Sequence, residues 1–376
     1  MLKGKILFLT LILGSNFIYS QCNGRYQTEI FNSVNKVSVN YSDIYSDSFH
    51  EMDIYTADGD VEINRPVIIY MHGGSFYSGD KSTLDCIDFC ESFAKRGYVT
   101  ISLNYRLASN IISFLTSNEI QYETVIEAVY DAKSAVRYLR KDFENGDSFG
   151  IDTSTIFVGG YSAGAVTAIH QAYINDISDL PNSSIDNDGS IFNIQSYASS
   201  IGGINGFEGD AGNYGYSSNI SGVISFAGGI NQLNWIDLND EPLVSVQGTA
   251  DPTVNYNCAP GLNNSLVLTL CGSGEMHPQA DLVGINNDKL VFNGEGHLWP
   301  ASGNINPKFI QAINFTSDFL FPLLPCNTLT STSILKKDKK IIDIINVLGK
   351  STDLTSNKLL FYIFSDGSVE KKIIIK

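Results

Sequence analysis

Apolar residues along this chain gather into short runs separated by longer amphipathic stretches. The runs at 67–71, 99–103, 155–158, 223–226, 243–246 and 290–292 are rich in β-branched or aromatic residues, as strands buried on both faces of a parallel sheet require. Between them, residues 122–139 place Val125, Val129, Ala132, Val136 and Leu139 at three- and four-residue steps, which predicts a helix with one apolar face. Residues 82–95 and 305–319 read as helices on the same ground. This alternation predicts a doubly wound α/β sheet, with 37–41 and 50–55 as two additional strands leading in. Two stretches break it. Residues 110–120 and 179–222 are rich in Ser, Asn, Gly and Asp. An interval as long as the second is uncommon inside a domain unless it is a functional loop or lid. Both are expected as insertions above the C-terminal edge of the sheet.

The two ends differ from this body. Lys3 and Lys5 precede an apolar run at 6–18, and a polar stretch follows Ser20. That order reads as a secretory signal peptide over 1–20, and the run is too short to span a bilayer. A lipid anchor on Cys22 lacks the small residue expected just before such a cysteine. No other segment reaches spanning length, so no stable membrane span is expected. Composition is that of a globular protein, 43% hydrophobic and 17% charged over 376 residues, which excludes disordered and collagenous classes. The formal charge of −16 argues against nucleic acid as a partner. Residues 327–376 hold nine Lys against five acids, so the 306 residues between the two cationic ends carry a net −22.

Six cysteines in an exported chain are compatible with disulfides, and six permit 15 full pairings. Cys258 with Cys271, bracketing a short Gly/Asn-rich loop, is the first choice, and Cys22 with Cys326 would tie the ends of the body together. Cys86 and Cys90 lie four apart on a predicted helix, where bridging geometry is awkward. No pair has metal-ligand spacing.

Three separated sites carry the chemistry. Strand 155–158 runs into Gly159-Gly160-Tyr161-Ser162-Ala163-Gly164, and residues 165–172 continue as a helix former. This is G-x-S-x-G in a strand-turn-helix context, where Gly160 and Gly164 must lack side chains so that the Ser162 hydroxyl is exposed at the end of the sheet. A serine hydroxyl attacks poorly without a base, and the base needs a carboxylate to orient it. Asp251 and His297 each fall in a loop just past a strand end. The order Ser162, Asp251, His297 is one of the three common orders for a serine triad. Asp281 and Asp288 are rival acids, and Glu295 is too near His297 in sequence. Upstream, strand 67–71 ends in His72-Gly73-Gly74-Ser75-Phe76. The backbone N–H groups of Gly74 and Ser75, with that of Ala163, are the candidates for holding an oxyanion. That role of the motif disfavours His72 as the base.

His72-Gly73-Gly74-Ser75-Phe76, Asn104-Tyr105-Arg106-Leu107, Gly160-Tyr161-Ser162-Ala163-Gly164, Asp251 and His297 together resemble the carboxylesterase and lipase branch of the α/β-hydrolases over roughly residues 37–321. The resemblance implies an eight-stranded, mostly parallel sheet and hydrolysis of carboxylic esters through an acyl-enzyme on Ser162, with no cofactor or metal. It also implies that Asn104–Leu107 brace the oxyanion loop through Arg106. Ala165 stands where the hormone-sensitive-lipase type usually has Gly, and Gln247 where a His is common before the Gly-Thr-x-Asp turn.

The tail has its own resemblance. N-x-L-G at 346–349, then Tyr362-x-Phe364-x-Asp366-Gly367-x-Val369-Glu370-Lys371-Lys372 and a terminal Ile/Lys run, are similar to the C-terminal sorting domain of the type IX secretion system. That similarity implies the secretion machinery as a partner and export across an outer membrane to the cell surface or beyond. Asp366-Gly367 between strand-like runs is itself a hairpin signal. The expected organisation is thus a signal peptide at 1–20, a catalytic domain at 21–326 with a lid-like insertion at 179–222, and a sorting domain at 327–376. The working expectation is a secreted serine esterase acting on a small-molecule ester. Two alternatives stay open: a serine peptidase of the prolyl-oligopeptidase kind and a binding protein on an inactive hydrolase scaffold.

Overall fold

The structure is a computed structural model that describes residues 22, 24–203, 206–326, 341–346, 350, 359–364 and 369–373. The chain divides into two units, Met1–Asn327 and Thr328–Lys376. The expected signal peptide lies outside the described residues, as does most of the expected sorting domain.

The first unit begins with β1 (Val34–Asn40), β2 (Glu51–Ala57) and β3 (Arg65–Met71), followed by α1 (Leu84–Lys95) and β4 (Val99–Leu103). Next come α2 (Ile111–Thr116), α3 (Asn118–Glu144), β5 (Ile151–Tyr161) and α4 (Ala163–Tyr173). A two-residue hairpin, β6 (Ser184–Ile185) with β7 (Ile191–Phe192), leads to α5 (Ile194–Ser200) and β8 (Gly222–Phe226). Then follow β9 (Leu243–Gly248), the small ribbon β10 (Cys258–Pro260) and β11 (Thr269–Cys271), α6 (Ser273–Val283), β12 (Asn287–Phe292) and α7 (Pro307–Leu320).

Eight strands form one sheet in the order β1-β2-β4-β3-β5-β8-β9-β12. β1 and β2 pair antiparallel, β2 meets β4 antiparallel, and the other five pairings are parallel. The period of two decides what each strand faces. Val67, Ile69 and Met71 of β3 enter a core shared with α3 and α4, whereas Ile68 and Tyr70 enter the opposite core with α1 and α7. Helices therefore cover both faces, and the C-terminal ends of β3, β5, β9 and β12 open onto one edge.

Residues 110–120, expected as an irregular insertion, are helical. Asn110 caps α2 by accepting from the N–H groups of Ile112 and Ser113, and Ser117 caps α3 by accepting from Ile120 N–H. The segment 179–222 straps the outer side of α3. Lys133 Nζ donates to Phe207 O at 2.8 Å, Ser134 Oγ to Ala211 O at 3.0 Å, and the Arg137 guanidinium to Gly212 O at 3.0 and 2.8 Å. Sequence reasoning did not find α6, whose pattern is interrupted by Pro278. Both favoured cysteine pairings are present, Cys258–Cys271 and Cys22–Cys326, and Cys86 and Cys90 are buried thiols.

In the second unit, β13 (Ile341–Asn346), β14 (Leu359–Phe364) and β15 (Val369–Ile373) form an antiparallel sheet in that order. The pairing of β14 with β15 flanks the expected hairpin turn. Among the described residues no helix is long and apolar enough to cross a membrane.

Candidate active site

Ser162 joins β5 to α4 with φ 55° and ψ −117°, a conformation disfavoured for a residue with a Cβ and worth about 1–3 kcal/mol of local strain. The surroundings enforce it. A Cβ on Gly160 would strike Met71 O and the backbone of Gly164, and one on Gly164 would strike Met71 O and His72 O. The turn can therefore pack beneath the end of β3 only with glycines at both places. Ser162 sits at the N-terminus of α4, where unpaired N–H groups and the helix dipole favour negative charge.

His297 Nε2 lies 2.8 Å from Ser162 Oγ, and His297 Nδ1 lies 2.7 Å from Asp251 Oδ2. A carboxylate only accepts, so Nδ1–H donates to Asp251 and Nε2 is left to accept from the serine hydroxyl. The second oxygen of Asp251 accepts from the N–H groups of Thr253 and Val254 at 2.9 and 3.0 Å. Parallel pairing of β9 with β12 carries the two loops out side by side. They are knit by Thr249 N–H to Phe292 O at 3.1 Å, Ala250 N–H to Glu295 O at 2.9 Å, and Gly294 N–H to Thr249 Oγ1 at 2.8 Å. All three side chains are buried. The structure thus brings together Ser162, Asp251 and His297. It does not bring in the rivals: Asp281 accepts from Asn287, Asp288 is exposed, and Glu295 pairs with Lys308 at 2.6 Å.

The loop after β3 lies against this turn. A Cβ on Gly73 would contact the Tyr161 ring and Ser162 Cβ, and one on Gly74, at φ 123°, would strike Ser78 O. Ser75 and Phe76 also have positive φ, 53° and 64°. The loop folds over itself, with Tyr77 and Ser78 N–H both donating to Gly74 O. Among the described residues, the N–H of Ser75 donates to no backbone carbonyl, so it is available to a ligand. Burial holds His72 below the usual histidine range, and its Nδ1 is engaged by Gly73 O at 2.6 Å.

The brace on this loop is different from the one expected. Tyr105 stacks on His72 and donates to His72 O at 2.6 Å, and Ala108 N–H donates to Phe76 O at 2.7 Å. Arg106 instead joins Asp131 of α3, at 2.7 Å, to Asp210 of the strap, at 2.8 Å. Its guanidinium also meets Glu127 of α3, through the backbone O at 3.5 Å and the carboxylate at 4.0 Å. Gln247 donates to Val254 O at 2.8 Å and accepts from Ser273 N–H at 2.7 Å, and so pins the far end of the Asp251 turn.

A chamber of about 100 Å³ opens beside Ser162. Its walls come from the loop after β3 (Ser75, Phe76), from α2 and α3 (Phe114, Val125, Val129), from α4 (Val166), and from the β10–β11 ribbon (Leu262, Leu268). Among the described residues of 179–222, the strap reaches it through Leu180 and Phe207. Of the wall residues, Ser75 and Phe76 were singled out in the motif after β3, and Val125 and Val129 as the apolar face of α3; Phe114, Val166, Leu262 and Leu268 were not, because only the packing of α2, α4 and the β10–β11 ribbon beside α3 brings them together.

A family model described as BD-FAE matches residues 52–266. A juvenile hormone esterase of Heliothis virescens is 34% identical over 104 residues, which is 28% of this chain and 17% of that protein. The chain therefore spans well under a third of the length of that curated relative. A truncated carbohydrate esterase from gut microbiota superposes with TM-score 0.53 at 17% identity, covering 78% of this chain and 97% of that one. A propionate-bound esterase of Thermogutta terrifontis superposes with TM-score 0.52 at 18% identity, covering 76% and 93%. The last two likenesses concern the fold, which is that of the α/β-hydrolases.

Proposed function

The chain belongs to the BD-FAE family, and from that premise we propose that it is a serine carboxylesterase working through an acyl-enzyme on Ser162. The observation that carries the reading is the unbroken relay from Asp251 through His297 to Ser162, at 2.7 and 2.8 Å, ending at the mouth of an apolar chamber. Ser162 Oγ attacks the ester carbonyl while His297 Nε2 takes its proton. The oxyanion that forms is held by the N–H groups of Gly74, Ser75 and Ala163, and Asp251 stabilises the imidazolium. Collapse breaks the bond to the alcohol, which leaves with the proton from His297. Water then attacks the acyl-enzyme, giving its proton to His297, and the acid departs from Ser162.

The location of the work belongs to the same reading. Residues 1–20 act as a signal peptide, 21–326 as the catalytic domain and 327–376 as a type IX sorting domain that hands the protein to the secretion machinery for export to the surface or the medium. Two disulfides in the first unit fit an oxidising compartment.

The test is Ser162→Ala assayed on p-nitrophenyl acetate. Turnover is expected to fall by about 10⁴-fold or more, with circular dichroism unchanged. Equal turnover by wild type and variant, or none by either, sinks the esterase reading and leaves a binding role on the same scaffold.

A further inference from the structure

His297 must meet Ser162 and Asp251 at once, yet its own loop does little to hold its backbone. Gly294 and Gly296 precede it, Gly294 at φ 73°, and a Cβ at either place would meet nothing within 4 Å. Two such glycines leave the backbone free to move. Leu298, which follows, is 72% exposed. Among the described residues, His297 takes part in no hydrogen bond from backbone to backbone. The loop next packs at Trp299, which is buried against Phe226 and Phe292 with ring centroids 5.3 and 5.2 Å apart.

One side chain does reach that backbone. Tyr161 Oη–H donates to His297 O at 3.2 Å, and its ring centroid lies 5.2 Å from that of the imidazole, tilted by 35°. A carbonyl only accepts, so the phenol must donate, and burial raises its pKa, which keeps the proton on. Tyr161 is itself firmly placed. Its backbone ends β5 opposite Phe226 of β8. Gly73 lies so near its ring that a Cβ there would come within 2.9 Å of Tyr161 Cδ1. The residue therefore precedes the nucleophile, abuts the loop after β3 and tethers the base. It is not among the residues that line the chamber. In the sequence it stood only as the unspecified x of G-x-S-x-G.

We propose that Tyr161 is a positioning residue for His297, its hydroxyl fixing the backbone of the base so that Nε2 stays in reach of Ser162 Oγ through acylation and deacylation alike. The assignment rests on the esterase reading for the reaction it serves. Without the hydroxyl, the carbonyl of a buried residue loses its donor, and a loop with two free glycines can shift to recover one from water. A displacement of about 1 Å at a reacting atom costs about a hundredfold in rate. His297 moves the proton in both half-reactions, so both slow together. KM depends on their ratio and is left nearly unchanged.

The test compares wild type, Tyr161→Phe and Ser162→Ala on p-nitrophenyl acetate, at a temperature where melting curves show each fully folded. Tyr161→Phe keeps the ring and loses only the hydroxyl. Its kcat is expected to fall about ten- to a hundredfold, with KM within about twofold of wild type. A second reading is independent of turnover. His297 Nδ1–H, donating to Asp251 at 2.7 Å, gives a low-field proton resonance, assigned by its absence from His297→Gln. In Tyr161→Phe that resonance is expected to broaden through faster exchange with water. A kcat within about twofold of wild type, a loss confined to KM, or an unchanged resonance overturns the role of Tyr161. Wild type without Ser162-dependent turnover removes the esterase reading instead, and the resonance alone then decides whether Tyr161 holds His297.

Discussion

Burial sets the protonation state of Asp85. Its side chain is buried in the first turn of α1, with Cys86 Sγ 4.0 Å from its Oδ2. Loss of water raises its pKa from an ordinary 3.8 to about 6. The sign of the stability effect follows from proton counting. Between 3.8 and about 6 the folded form holds a proton that the unfolded form has lost, so stability falls as pH rises through that window. Asp85→Asn does not titrate. The variant is expected to gain about 2 kcal/mol relative to wild type between about pH 4.5 and about pH 7.5, read from urea unfolding at both values. A difference independent of pH shows that Asp85 is charged in the fold.

Legibility at this scale divides by chemistry. Ser162, Asp251 and His297 stand out in the sequence because each follows a strand end and glycines flank two of them. Asp85 and His170 carry equally polar side chains inside helical patterns, and nothing in the sequence marks them as buried. Arg106 was legible as a brace but not for the loop expected, because its partner Asp210 lies 104 residues away in a stretch without periodicity.

At the scale of elements, apolar periodicity located β3, β4, β8, β9, α1, α3 and α7 to within a few residues. It missed α2, whose six residues are too few to show a period, and α6. The ribbon β10–β11 was visible only as a pair of cysteines around a loop. The structure gives that ribbon a purpose. Its loop walls the chamber with Leu262 and Leu268, Leu262 N–H donates to Thr253 O at 2.8 Å in the Asp251 turn, and Gln121 of α3 clasps Leu266 and Leu268. Cys258–Cys271 closes it across 13 residues, a constraint worth about 3 kcal/mol in chain entropy. Replacing both cysteines by serine is expected to loosen one wall. The double variant should then melt about 5 °C lower in calorimetry. An unchanged melting temperature would mean that Gln121 and the Leu262 N–H hold the ribbon without the bond.

At the scale of the molecule, the sequence foresaw the doubly wound sheet because βα alternation leaves few other ways to bury two-faced strands. It could not foresee that the long interval 179–222 would lie along α3, since that interval is held mainly by side chains donating to its backbone carbonyls. What closes the first unit is covalent. Cys22, before β1, bonds Cys326, beyond α7, across 304 residues. Around the bond Tyr26, Tyr98 and Phe93 stack edge to face, and Ser317 Oγ of α7 donates to Tyr26 O at 2.9 Å. The two ends of the unit are therefore held by packing as well as by sulfur. A loop of that length carries about 5 kcal/mol of chain entropy. Spread over about 0.6 kcal/mol per kelvin of unfolding entropy for a domain of this size, that is a shift near 8 °C. The Cys22→Ser, Cys326→Ser double variant is expected to melt about 8 °C lower in calorimetry, with kcat on acetate unchanged at about 25 °C because Ser162, Asp251 and His297 are positioned by β5, β9 and β12. A loss of kcat at a temperature where the variant is fully folded would mean instead that the terminal tie transmits to the sheet edge.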